Sequence, residues 1–320
     1  MVRWHTLAAY FRRKYGMRVQ KIPLDAGSAC PNRDGLLSTR GCVFCNALGS
    51  GSGLGGRGLS LAAQWQAQWQ AWRQKYRAGD PDRRFLAYLQ SFSNTYGSLE
   101  RLQDLLHAVA ALPDCCGLAV GTRPDCLSPS KLDALLRAGA EAGVAEIWLE
   151  LGLQSAHDAT LARVNRGHTA ACAAKAVAEA AGRGLLVCGH LMAGLPGEGE
   201  AAFLESVDWA VSLPLHGLKL HNVYVPEGTE LARRYRDGRY QPLERDEYVD
   251  LLCAALPRIP SRLVMHRLQS DPAPGELVAP AWAALKRPLM ADLLRALHAR
   301  DLWQGCRADV PEGRPAWYGG

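Results

Sequence analysis

Several things are missing from this chain, and each absence narrows what it does. No apolar run approaches the roughly 18 residues of a membrane span, so no spanning helix is expected. Met1-Val2-Arg3-Trp4-His5 leads into no sustained apolar stretch, so no signal peptide is expected. The 10 cysteines are then read as reduced thiols of a cytoplasmic protein, not as a disulfide framework. No internal repeat is evident. The stretch Gly49-Ser-Gly-Ser-Gly-Leu-Gly-Gly-Arg-Gly58 lacks the Lys-Ser/Thr ending of a P-loop and follows no strand. It is read as a mobile surface loop and not as a phosphate cradle.

The most informative absence is that of a fourth metal ligand. Cys30, Cys42 and Cys45 form a C-x11-C-x2-C pattern, with no His between them and the next cysteine at Cys115. Three thiolates can hold three irons of a cubic iron–sulfur cluster and leave the fourth iron open. An open metal position is where a substrate or co-substrate binds. Zinc is the competing reading, but a structural zinc site also wants a fourth Cys or His. The other seven cysteines are expected mostly as small core residues. A second cluster would have to gather its ligands from scattered elements.

Lysine and arginine number 37 against 31 acidic residues, a net charge of +6. Arginine is grouped at Arg12-Arg13, Arg83-Arg84 and Arg233-Arg234-Tyr235-Arg236. This balance permits a nucleic-acid partner without establishing one, since each group also reads as solvated surface.

From about residue 17 to 225, short apolar runs alternate with helix-like segments, the pattern of parallel strands with crossover helices. Strands are expected at Arg18–Pro23, Phe85–Phe92, Gly117–Gly121, Ala145–Leu153, Leu185–Ala193 and Gly217–Val223. The fold class is α/β, either a closed or partly open (β/α)6 barrel or a doubly wound sheet. Trp65, Trp69, Trp72 and Tyr76 fall on one helical face and are read as core packing. After residue 226 proline and charge become frequent. Residues 1–225 are thus expected as a core domain and 226–320 as a small α+β extension with one strand near Arg262–Leu268.

In parallel α/β folds, ligands bind beyond the carboxyl ends of the strands. Six such ends carry polar or glycine-rich segments here. They are Cys30–Cys45, Ser93-Asn94-Thr95, Gly121–Asp125, Glu150 with Gln154-Ser155, Gly194–Glu198, and Lys219 with His221. Hydroxyls and amides suit an ammonium or a ribose, and arginine suits a carboxylate. Asp125 is equally read as a cap for a helix starting near Ser128. Glu150 stands in an otherwise apolar strand and would need a buried partner.

Taken together, these segments resemble radical S-adenosylmethionine (SAM) enzymes, and in particular the YhcC/YtqA-type family. The resemblance rests on Cys30-Pro-Asn-Arg-Asp-Gly, Gly121-Thr-Arg-Pro-Asp-Cys126, Trp148-Leu-Glu-Leu-Gly-Leu-Gln-Ser155, Asn165-Arg-Gly-His168 and His190-Leu-Met-Ala-Gly-Leu-Pro-Gly-Glu198. A second likeness is to the radical SAM core of the elongator catalytic subunit, which modifies wobble uridine in tRNA. The resemblance implies a partial TIM-like barrel. It implies a 4Fe–4S cluster on Cys30, Cys42 and Cys45, and SAM on the open iron. It further implies a 5′-deoxyadenosyl radical that abstracts hydrogen from a substrate, with tRNA one candidate. By position, Ser93, Asn94 and Thr95 stand where the family's amino-group motif lies, without its Gly-Gly-Glu. Arg123, Glu150 and Gln154 would contact SAM, Arg163 or Arg166 would hold its carboxylate, and Gly194 and Gly197 would line its adenine. Lys219 and His221 would act nearer the substrate. An electron donor of the flavodoxin or ferredoxin type is implied as partner, and no membrane. The rival from another class is a zinc-stabilised RNA-binding module without catalysis.

Overall fold

The computed structural model describes residues 2–49, 58–76, 83–141, 143–144, 146–308 and 315. The central run of the glycine-rich stretch, residues 50–57, lies outside them, as does Ala145 at the expected start of the fourth strand. In chain order the elements begin α1 (Leu7–Tyr15), β1 (Val19–Leu24), α2 (Leu61–Tyr76), β2 (Arg84–Leu89), α3 (Leu99–Ala110), β3 (Cys115–Thr122) and α4 (Pro129–Glu141). They continue β4 (Ile147–Gln154), α5 (Asp158–Arg163), α6 (Ala170–Gly182), β5 (Leu186–Ala193), α7 (Glu200–Ser212) and β6 (Gly217–Asn222). The remainder holds β7 (Val225–Pro226), α8 (Glu230–Arg236), α9 (Arg245–Ala255), β8 (Val264–Arg267), β9 (Leu277–Ala279) and α10 (Lys286–Ala299).

Seven strands form one parallel sheet in the order β1-β2-β3-β4-β5-β6-β8. The order ascends without a reversal, which rules out the doubly wound alternative, since that arrangement turns back at a switch point. The sheet curls into a partial barrel. The strand expected in the appended region is part of it: β8 pairs with β6, with Gly217 opposite Val264 and Lys219 opposite Arg267. β4 is buried at every position, as a parallel strand covered on both faces must be. Helices start where hydroxyl side chains satisfy free backbone donors: Ser98 accepts from Arg101 N, Thr169 from Cys172 N and Thr229 from Ala232 N. Among the described residues no helix is long and apolar enough to cross a membrane.

Two apolar cores flank the barrel's interior. Outside, α3, α4, α6 and α7 bury Leu106, Leu135, Val177 and Phe203 against the sheet. Trp65 of α2 is fully buried in this core, with Trp69 and Trp72 partly buried against it. At the amino ends of the strands, Phe11 of α1 packs with Leu86, Ala119, Trp148, Cys188 and Val264 and plugs the barrel.

The β6–β8 pairing depends on a close approach. A Cβ at Gly217 would sit 2.8 Å from the Val264 carbonyl oxygen and 2.9 Å from His266 Nε2. Backbone cannot be moved aside by a rotamer change, so Gly217→Ala is expected to destabilise by about 1–3 kcal/mol. Gly182→Ala, with nothing within 4 Å of its new methyl, is expected to be neutral or mildly stabilising. Thermal unfolding of the two variants side by side checks this, and equal melting temperatures would count against the packing of β8.

Candidate active site

The three cysteines lie in the loop that follows β1. One apolar residue anchors two of them. Val43, between Cys42 and Cys45, is buried among Val164, Leu195 and Leu231. Its N–H donates to Val164 O at 3.1 Å and its carbonyl accepts from Leu231 N at 2.9 Å. Arg33 braces the loop from within, donating through Nη2 to the carbonyls of Cys45 (2.7 Å) and Asn46 (2.5 Å). Gly41 passes this guanidinium with φ +71°, and a Cβ there would lie 3.1 Å from Arg33 Nε. The left-handed conformation therefore favours glycine, and the guanidinium leaves little room for a side chain.

The Asn165-Arg-Gly-His168 segment clasps the loop from the other side. Asn165 Nδ2 donates to Gly41 O at 2.6 Å, and Asn32 Nδ2 donates to Asn165 O. Two donors reach the Cys42 sulfur: Asn32 Nδ2 at 3.5 Å and Arg166 Nη1 at 3.7 Å. Arg166 also donates to Gly152 O at 3.0 Å.

All three thiols line one cavity of about 700 Å³, shared with Ser93, Arg123, Gln154 and Arg166 and reaching down to Glu150 and Lys219. Burial, and then the neighbouring Cys42, push the Cys45 thiol up to about 11. Ionising Cys45 thus calls for a positive centre beside it, which a metal group supplies. Their surroundings fit a group of net negative charge. Arg123 spends Nε and Nη2 on Asp125, at 2.9 and 2.7 Å, which leaves its buried Nη1 without a partner. Arg166 Nε and Ser93 Oγ are likewise buried and unpartnered. Among the described residues no three His, Cys, Asp or Glu side chains are grouped to hold a single ion. The thiols share a cavity wall instead.

Below them, a charged layer crosses the barrel. Glu150, 1 % exposed, accepts from Lys21 Nζ at 2.6 Å through Oε1 and from Lys219 Nζ through Oε2. Lys219 also donates to Tyr88 Oη at 3.1 Å. His190 Nε2 and His266 Nδ1 stand 3.3 and 3.5 Å from the same carboxylate. Burial alone would raise the Glu150 pKa, but Lys21 and Lys219 hold it well below the usual carboxylate range. Burial pushes Lys219 down to about 8, with Glu150 opposing. Burial also lowers His190 to about 4 and His266 to about 3, so both are neutral near pH 7.

The sequence-expected residues divide. Ser93, Arg123, Glu150, Gln154, Arg166, Lys219 and His221 line the cavity with the three cysteines. Asn94 is spent on the backbone, donating to Gly121 O at 2.8 Å and Leu89 O at 3.0 Å. Thr95 bonds Thr122 Oγ1 and Cys126 O. Arg163 donates to Pro196 O at 3.0 Å within the Gly194–Glu198 turn, and a Cβ at Gly197 would strike its guanidinium. Asp125 clamps Arg123 and does not cap the following helix, where Ser128 Oγ accepts from Lys131 N. Sequence reasoning missed Lys21, Tyr88 and Arg33. A lysine inside an expected strand was a signal for Lys21, and Arg33 stands within the Cys30–Gly35 motif, where no role was read for it.

Glu150→Gln would leave two buried ammonium groups with no carboxylate, so a loss of about 3–5 kcal/mol is expected in denaturant unfolding. Acid should act through the histidines first. Unfolded histidine protonates near 6.5 while His190 and His266 stay neutral in the fold down to about 4 and 3. The unfolded state therefore binds more protons below pH 6.5, and stability falls as pH drops from 6.5 towards 4. Glu150, depressed below its ordinary 4.5, adds its own loss only beneath that value. A His190→Asn/His266→Asn double variant should show a flatter stability profile between pH 6.5 and 4.5.

The radical SAM superfamily profile matches residues 38–210, and the radical SAM C-terminal domain profile matches residues 215–297. The YtqA protein of Bacillus subtilis (strain 168) is 33 % identical over 303 residues, covering 95 % of this chain and 92 % of its own. The YhcC protein of Escherichia coli (strain K12) is 36 % identical over 286 residues, covering 89 % of each. Among solved structures, the archaeal Elp3 of Methanocaldococcus infernus superposes with a TM-score of 0.66 at 19 % identity. It covers 90 % of this chain, which spans 64 % of that one, and at this identity the likeness concerns the fold. Radical SAM enzymes work with a 4Fe–4S cluster and SAM. Matched by that profile over more than half its length and by both relatives over nearly all of it, the chain belongs to the radical SAM superfamily as a YhcC/YtqA-type enzyme.

Proposed function

We propose that Cys30, Cys42 and Cys45 hold the 4Fe–4S cluster and that this enzyme acts on a substrate seated in the barrel between the thiols and Glu150. The single observation that carries the reading is the convergence of three thiols on one cavity beside the unpartnered donors of Arg123 and Arg166. When bound, cluster and SAM supply a 5′-deoxyadenosyl radical for hydrogen abstraction. The chain's own residues do the rest. Arg166 and Asn32 donate toward the Cys42 sulfur, which stabilises its thiolate. Arg123 and Arg166 offer donors to a carboxylate, and Ser93 and Gln154 offer polar contacts to an ammonium or a ribose. The apolar plug under Glu150 closes the amino end of the barrel to water. A one-electron donor of the flavodoxin or ferredoxin type is the partner this chemistry needs.

tRNA is a second substrate reading. It is supported by the Elp3-like fold and the net charge of +6. Its mark would be RNA binding that weakens steeply with added salt. Absence of RNA binding at low salt would remove it.

After anaerobic reconstitution the protein should carry iron and sulfide, and it should release 5′-deoxyadenosine from SAM on reduction. Cys42→Ala should lose most of its iron and reduce deoxyadenosine to background. Zinc without sulfide in the purified chain would instead favour a non-catalytic RNA-binding module, and undiminished deoxyadenosine from Cys42→Ala would falsify the ligand assignment.

A further inference from the structure

We propose that the charged layer at the floor of the cavity binds an oxyanion, a carboxylate or a phosphate, carried by a small-molecule substrate. This names the substrate class for the reaction proposed above and rests on that reading for its chemistry, but the binding itself does not require the cluster.

Lys21 and Lys219 share one carboxylate, Glu150, and the imidazoles beside it add no charge. Arg267 lies opposite Lys219 in the β6–β8 register and also lines the cavity. It faces Asp271 at 3.9 Å, a carboxylate 62 % exposed. Glu276, the third carboxylate on the cavity wall, already accepts from Tyr224 Oη at 2.5 Å, from Asn46 and from Ala273 N. The floor therefore holds more fixed positive than negative charge, and Glu146, the carboxylate buried beside the plug, is already taken by Trp148 Nε1, by Tyr15 Oη at 2.6 Å and by Lys14 at 3.3 Å. The side chains of Lys219 and Lys21 are only 5 % and 17 % exposed, and excess charge at such burial is costly unless an anion answers it.

A polar atom beside these cations is also unused. His221 stands two residues beyond Lys219 on β6 and so shares its inward face. Its ring lines the cavity 5.6 Å from that of His190, and its Nε2 is buried without a partner. An orphaned buried polar atom costs about 1–3 kcal/mol, and a ligand oxygen beside it would recover this. Lys219, Arg267 and His221 would then converge on a single oxyanion.

Position separates this site from the thiols. Glu150 lies four residues before the last residue of β4, at mid-barrel, whereas the thiols lie beyond the end of β1. A ligand spanning the two would place its anionic group at the floor and its remaining atoms towards the thiols. A chamber of about 700 Å³ suits a small molecule. A polynucleotide backbone binds instead along open basic surfaces, so this floor favours the small-molecule reading over tRNA.

The test is anaerobic thermal melting of the cluster-loaded, SAM-bound protein, titrated with orthophosphate or with acetate at ionic strength matched by chloride. A saturable rise in melting temperature beyond the chloride control is expected with at least one of them. Response to phosphate alone identifies a phosphorylated substrate, and response to acetate alone a carboxylated one. Arg267→Gln and His221→Phe should each raise the half-saturating concentration roughly tenfold or more. No saturable response, or one unchanged in both variants, overturns the proposal, as does stabilisation by an RNA stem-loop but by neither small anion. Iron, sulfide and SAM binding are measured on the same samples. Cys42→Ala should keep the anion response while losing iron, which separates failure of this site from failure of the cluster assignment.

Discussion

One buried carboxylate holds this barrel together across its opening. The edge strands of the sheet are β1 and β8. Glu150, on the central strand β4, takes Lys21 from one edge strand and Lys219 from the strand beside the other. His266 of β8 approaches Lys21 Nζ at 3.4 Å. An ion cluster thus links edges where the ladder of hydrogen bonds does not. Such a cluster is costly to desolvate and is tolerable only with close geometry and several partners, which is what Glu150 has. It also marks a boundary: below it the interior is filled by Trp148, Phe11 and their neighbours, and above it the interior is open.

The mouth of the barrel follows a different logic. The cysteine loop has no regular secondary structure, yet little in it is free. Val43 ties it to the end of α5 and the start of α8, Arg33 ties its halves together, and Asn165 holds Gly41. Each tie uses a backbone group, so the sulfur atoms are left for a ligand. The same economy appears at Asn94 and Thr95. Their side chains staple the ends of β2 and β3, which fixes Ser93 on the cavity wall without their entering it.

Much of this was legible in the chain. Alternating apolar runs located six of the seven strands of the main sheet, because a parallel sheet covered on both faces must read that way, while the seventh was expected in the appended region and not in the barrel. The cysteine spacing pointed to the right end of the barrel. What could not be read was partnership. Asn94, Thr95 and Arg163 looked like ligand contacts because polar residues at strand ends often are, but loop backbone needs satisfying too, and it claimed them. Asp125 sits two residues from Arg123, and a bidentate ion pair is stronger than a helix cap. Lys21 was hidden because its partner is 129 positions away. Only closure of the sheet brings the two together.

These observations bear on why the interior is charged at all. Hydrophobic residues in place of Lys21, Glu150 and Lys219 would fill a barrel at lower cost, since replacing buried ion pairs by packed apolar groups is often neutral or stabilising. Packing alone would also need no excess: one lysine would balance Glu150. Two lysines against that carboxylate, with Arg267 answered only by the exposed Asp271 and His221 Nε2 left without a partner, exceed what the fold itself requires. The surplus is best explained by what enters the cavity, because an anion arriving at the floor converts the excess charge from a burden on the folded state into binding energy. The barrel's polarity then has a direction, with thiols and arginines at the mouth, cationic groups at the floor, and space between them for the bond that reacts.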